Sequence, residues 1–113
     1  MKKFDVLVKV LFALFFIPAV GVHIYGLVKP LPGSTESMPS HLVHIISYSA
    51  AFYAFLKAMN YRLLIYSVAS VYPFLYHANC FFGHLINEHR FTPVCLLVIV
   101  MLPLGAAWIW SRR

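Results

Sequence analysis

Apolar positions in this chain come in four long blocks separated by short polar breaks. The blocks run over about residues 6–28, 41–58, 62–82 and 93–110. Each is close to the roughly 20 residues that an α-helix needs to cross about 30 Å of hydrocarbon. The breaks have physical causes. Lys29-Pro30-Leu31-Pro32-Gly33-Ser34 cannot continue a helix, because proline lacks a donor and clashes with the preceding turn. Pro39-Ser40 places a hydroxyl where a helix N-cap needs one. Met59-Asn60-Tyr61 reads as a tight hairpin, and Asn87-Glu88-His89-Arg90 as the last break, after which Thr92-Pro93 reads as N-cap and first-turn proline. The blocks lack the roughly ten-residue alternation of a membrane barrel. The expectation is all-α: four helices forming one domain over residues 1–113.

Composition moves this expectation into a bilayer. Hydrophobic residues make up 62% of the chain and charged residues 11%, where soluble domains average about 45–50% and about 25%. A soluble domain of 113 residues could not hide so much apolar surface, whereas lipid can face it. The expected architecture is an integral membrane protein with four transmembrane helices in an antiparallel bundle.

Charge then orients it. Lys2, Lys3, Lys9, Lys57, Arg62, Arg112 and Arg113 share one side of a four-span chain, and only Lys29 and Arg90 fall on the other. Basic residues mark the cytoplasmic side. Both termini are therefore expected inside, most simply at a bacterial inner membrane, with Trp108 and Trp110 at the inner interface. The net charge of +6 is scattered over segment ends, forms no basic stripe and implies no nucleic-acid partner. Met1-Lys2-Lys3 before an apolar run resembles a secretory signal. The run continues past Gly21 with no small-x-small site, so the segment is expected to be retained.

Under this topology all six histidines lie in the outer half. His23 lies near the outer end of helix one, His41 and His44 open helix two, and His77 nears the end of helix three. His84 and His89 are placed in the outer loop. His77, Cys80 and His84 are spaced i, i+3, i+7, on one helical face that Tyr66, Ser70 and Pro73 extend inward. His41, His44 and Tyr48 form a comparable stripe. At 1.5 Å per residue, His23, His44 and His77 sit ~8, ~5 and ~9 Å below the outer helix ends. Glu36 and Glu88 fall on the same side. Ionisable groups inside a membrane turn toward the bundle interior or a watery cavity. A shared outer pocket of His23, His44 and His77 is thus expected, with Cys80, His41 and His84 as further ligand candidates and Tyr48 and Ser70 as supporting hydrogen-bond partners.

Imidazole and thiolate suit zinc or copper, and two facing imidazoles suit haem. No tight metal motif such as His-Glu-x-x-His is present, and histidines bonded only to backbone and water are the competing reading. Cys80 and Cys95 each lie about one turn inside the outer end of consecutive helices. They are either a disulfide pair or two small buried thiols. Pro18, Pro73 and Pro103 inside the spans either open a cavity or serve packing alone. Phe12, Phe15, Phe16, Phe52, Phe55, Phe81 and Phe82 are expected to face lipid or neighbouring helices.

Four helices, a proline-containing outer loop over Lys29 to Ser40 and a tight Lys57-to-Arg62 hairpin give a layout that resembles the small DoxX-like membrane proteins over most of the chain. That group is functionally mixed, with some members tied to quinone-linked sulfur oxidation, so the resemblance implies a fold and not a substrate. Three functions are expected in order. The first is a non-catalytic accessory subunit or small-ligand-binding component of a membrane complex, with a protein partner or a second copy. The second is a metal- or haem-binding redox component. The third is a small transporter, disfavoured by the absence of paired repeats and of a midplane site. No catalytic motif is present, and an enzyme is not expected.

Overall fold

A computed structural model describes residues 2–29 and 35–112. The Pro30-to-Ser34 break and the terminal Arg113 lie outside the described residues. The described chain forms four α-helices: α1 (Lys2–Val28), α2 (Met38–Leu56), α3 (Arg62–Glu88) and α4 (Pro93–Ser111), with no strand among the described residues.

Each helix buries one seam with alternating steps of three and four residues. The seam in α1 is Phe12, Phe16, His23 and Gly26, with Ala19 between; in α2 it is His41, His44, Tyr48, Ala51 and Phe55. In α3 it contains Tyr66, Ser70 and Pro73, and in α4 Cys95, Val98, Leu102, Gly105 and Ile109. This is the spacing at which neighbouring helices mesh nearly in line. Contacts run mainly α1 to α2, α2 to α3 and α3 to α4, while α1 and α4 touch only lightly.

The apolar halves of the seams make the core. Phe12 stacks on Phe55 at 4.4 Å and Phe16 on Phe52 at 5.2 Å. The Tyr66 hydroxyl donates to the Leu102 carbonyl at 2.9 Å. Gly105 makes this possible, because a Cβ there would collide with the Tyr66 ring. Of the phenylalanines expected against lipid or neighbouring helices, Phe12, Phe15, Phe16, Phe55 and Phe81 are buried, whereas Phe82 is exposed. At this end Phe4 packs on Trp108, Asp5 pairs with Arg112 at 2.9 Å, and the Arg112 guanidinium lies 3.9 Å from the Trp108 ring centre.

Several boundaries differ from the sequence expectation. The first helix begins at Lys2, ahead of residue 6. The second begins at Met38, capped by Ser37, whose side chain accepts from the Ser40 N–H at 3.3 Å. Ser40 therefore lies inside the first turn and does not cap. The third helix runs on to Glu88, because Leu85 and Ile86 continue the apolar spacing and no proline intervenes. His84 is thus helical and not in a loop, and the break shrinks to residues 89–92. His89 ends α3 in the left-handed region, at φ 51°. The expected hairpin at residues 59–61 is present, with Tyr61 left-handed at φ 59°. Arg62 closes it: its Nε donates to the Ala54 carbonyl at 2.7 Å, and its guanidinium also reaches the Phe55 carbonyl. These are carbonyls of the last turn of α2, which its own helix leaves unpaired. The helices run unbroken through Pro18, Pro73 and Pro103.

The outward faces are strongly apolar. Leu14, Ile17, Val28, Ile46, Val68, Ile86 and Val94 are each at least 62% exposed. The sequences of α1 and α4 are long and apolar enough to cross a membrane, and only 22% of each such stretch is buried in the protein.

Candidate metal centre

The seams change character toward the end of the molecule away from Asp5 and Arg112. There, α1 contributes His23, α2 His41 and His44, α3 His77, Cys80 and His84, and α4 Cys95. The antiparallel order brings them together. His23 and His44 stack at 4.2 Å with planes 8° apart, and His77 meets His44 edge-on at 5.4 Å. His23, His41 and His44 are buried and His77 is partly buried. Gly26 lets α1 approach closely, since a Cβ there would lie 2.6 Å from His41 Cε1.

Glu36 anchors the cluster. It precedes the Ser37 cap, where the positive end of α2 favours an anion. One carboxylate oxygen, Oε2, lies 2.5 Å from His44 Nδ1 and accepts from the Ser40 hydroxyl at 2.7 Å. The other, Oε1, lies 3.5 Å from both His23 Nδ1 and His41 Nδ1, which are 2.9 Å from each other. The Ser40 hydroxyl also meets the Tyr72 hydroxyl at 2.8 Å. Burial pushes the Glu36 carboxyl up, but hydrogen bonds from His44 and Ser40, with the neighbouring His44 and His23 rings, more than reverse this and hold it at about 2.

The nitrogens divide by role. The Nδ1 atoms of His23, His44 and His77 are all engaged: with His41 and Glu36, with Glu36 and the Ser40 carbonyl, and with Cys95 Sγ at 3.4 Å. His44 Nε2 and His77 Nε2 are buried with no hydrogen-bond partner among the described residues. An orphaned buried polar atom is costly and calls for an explanation. His23, His44 and His77 each offer a ligand atom within 4.8 Å of the others, and so do His23, Glu36 and His41. Three imidazoles holding zinc at about 2.0–2.1 Å place their nitrogens ~3.4 Å apart, so the rings close on an ion with a modest inward shift. A carboxylate or other acceptor behind each ligating ring is how metal-binding histidines are oriented.

A cavity of about 270 Å³ adjoins the cluster between α1 and α4. Its polar corner holds His23, Glu36, Tyr48 and His77, and its walls include Leu14, Pro18, Val22, Val94 and Leu97. A second, more polar hollow of about 400 Å³ lies on the other side of Glu36, lined by Thr35, Ser40, Tyr72, Tyr76, Asn79 and Cys80. Glu36 lines both.

The structure thus brings together His23, His41, His44 and His77; Cys80 follows one turn beyond His77 on α3, and His84, two turns beyond, contacts Cys80 at 3.6 Å and belongs to neither compact ligand set. Tyr48 is buried and stacks on His23 and His44 at 5.8 and 5.7 Å. Ser70, expected beside the imidazoles, instead lines a separate cavity with Tyr66 and Pro103, because two helical turns separate it from His77. Cys80 and Cys95 are free thiols. Sequence reasoning missed Glu36, Ser40 and Tyr72. The signal was available: Glu36, Ser40, His44 and Tyr48 recur every four residues along one face. Comparison with protein-family models, curated proteins and solved structures finds no match for this chain.

Proposed function

We propose that this chain is a small integral membrane protein that holds a divalent transition-metal ion, zinc or copper, on His23, His44 and His77 in its outer leaflet. The observation that carries the reading is the division of nitrogens: each Nδ1 is engaged by the protein, while His44 Nε2 and His77 Nε2 are left buried and unpaired among the described residues. Imidazole ligands suit zinc and copper. The chain's own groups would then orient the rings, with Glu36 fixing His44 and Cys95 fixing His77, while Tyr48 and Phe15 shield the site. A bound ion would supply Lewis acidity or redox activity there. Haem fits poorly, because His23 and His44 touch ring to ring and leave no slot for a macrocycle between them.

The membrane placement rests on the apolar faces of α1 and α4 and on the segregation of charge. All four helices span in this reading, with both termini in the cytoplasm and the histidines toward the outside. The DoxX-like affiliation belongs to the same proposal and rests on connection lengths alone. The protein would act as a non-catalytic, metal-holding component of a membrane complex. A second reading, a small amphipathic ligand in place of a metal, is favoured by the apolar cavity beside His23 and His77, which could take its tail.

Metal analysis of protein purified from membranes is the direct test. Near-stoichiometric zinc or copper is expected, lost in His23→Ala, His44→Ala and His77→Ala and kept in His89→Ala. A metal-free preparation that also takes up neither ion on titration would end the reading. Reporter fusions after residues 37 and 111 should report opposite sides.

A further inference from the structure

The buried polar chain does not stop at His77. His77 Nδ1 lies 3.4 Å from Cys95 Sγ, and one turn further along the same face of α3 Cys80 Sγ lies 3.6 Å from His84 Nδ1. Two thiols on adjacent helices are thus brought to neighbouring levels, each with an imidazole beside it. These four donors are strung out and do not surround a point: His77 belongs to the compact ligand set with His23 and His44, whereas Cys80, His84 and Cys95 belong to none. A tetrahedral ion is therefore poorly served. A digonal one fits, lying between two sulfurs. Soft thiolates select monovalent copper.

We infer that Cys80 and Cys95 form a second metal site, specific for a soft monovalent d10 ion such as copper(I), held between the two sulfurs at the outer end of α3 and α4. The flanking histidines suit the chemistry. Binding converts two thiols and one monovalent ion into a bis-thiolate complex of charge −1 and releases two protons, with no change of oxidation state. The Cys80 proton passes to His84 Nδ1. His77, in the tautomer that leaves Nε2 free, carries hydrogen on Nδ1 and donates it to Cys95 Sγ, stabilising that thiolate, and the Cys95 proton leaves to solvent. Access is present, since Cys80 lines the polar hollow with Tyr76 and Asn79 while Cys95 lies behind it. The site does not require the trihistidine reading, and the two meet only at His77.

The test is titration of the reduced, detergent-solubilised full-length protein with copper(I) against a chromophoric chelator under anaerobic conditions, with X-ray absorption to identify ligands. One copper(I) with two sulfur neighbours is expected. Cys80→Ser and Cys95→Ser should each weaken binding by more than about 100-fold, beyond what loss of a merely supporting contact costs. The double variant His23→Ala/His44→Ala should retain it, so failure of the trihistidine site reads out separately. Circular dichroism melts check that the serine variants fold, and silver(I) titration of Cys80→Ala provides a second measurement if Cys95→Ser does not. Nitrogen-only coordination, undiminished affinity in the serine variants, or no copper(I) uptake by the reduced wild type would each overturn the proposal.

Discussion

The imidazoles of His23 and His44 lie face to face, 4.2 Å between centroids and 8° from parallel, one ring from α1 and one from α2. Two rings in contact cannot act as opposed axial ligands to a macrocycle. Added haem is therefore expected to give no bis-imidazole spectrum. A low-spin six-coordinate spectrum that vanishes in His23→Ala would contradict this.

Docking of α1 on α2 depends on Gly26. A methyl group there meets the His41 ring at 2.6 to 3.1 Å, so Gly26→Ala must push the ring or the helix aside. The expected cost is about 1–3 kcal/mol, together with weakened metal uptake. Gly21 has nothing within 4 Å of an added Cβ. There Gly21→Ala should be neutral or stabilising by up to about 1 kcal/mol, the helical advantage of alanine. Thermal unfolding in detergent distinguishes the pair, and equal behaviour would remove the role assigned to Gly26.

Glu36 sets an acid limit on stability. Its carboxyl is held at about 2, against its ordinary value of 4.5. A depressed acid contributes stability above its unfolded value and loses it as pH falls through the folded one. His23, His41, His44 and Ser40 face this carboxylate. Wild type should therefore outlast Glu36→Gln in melts above pH 4.5, and the difference should shrink as pH falls toward about 2. A pH-independent difference would mean that the charge of Glu36 does not matter.

Arg62 holds two carbonyls at the end of α2. Arg62→Ala should cost about 1.5–3 kcal/mol, the range for hydrogen bonds to a charged group. Arg62→Lys should recover only part of this, because one ammonium cannot reproduce the planar fork. Full recovery by lysine would reduce the residue to a topological charge.

His77 and His89 are both histidines of the α3 end, yet one is inside and the other is an exposed left-handed cap. His89→Gly should stabilise by up to about 1 kcal/mol, since glycine adopts positive φ without cost. His77→Gly should destabilise and abolish metal uptake. Matching effects at the two positions would refute the placement of His77 in the centre.

The four helices and the hairpin at Tyr61 were legible because prolines and apolar spacing state them directly. The meeting of His23, His44 and His77 was legible because they share a depth. Less was readable where the signal lies between helices. Ser70 shares a face with His77, but a face does not say how far down a neighbour's ligand sits. Glu36 read as a loop acid because its role depends on where α2 begins, and Ser37 rather than Ser40 sets that point. His84 read as loop because Asn87 and Glu88 look like a break, yet the preceding apolar residues carry the helix to Glu88.

Apolarity is shared unevenly among the helices. α1 and α4 pass the test for crossing a bilayer by length and composition, whereas α2 and α3 carry most of the imidazoles and hydroxyls. In a membrane, the site-bearing pair would then be the least willing to enter alone. It would enter as a prefolded hairpin, with the Tyr61 turn made and the α2 carbonyls already closed by Arg62, beside an α1 that offers His23 and a phenylalanine face. Biogenesis and ligand-site assembly would become a single event, so that a chain with a damaged cluster would be sorted out by the insertion machinery before it ever met its ion.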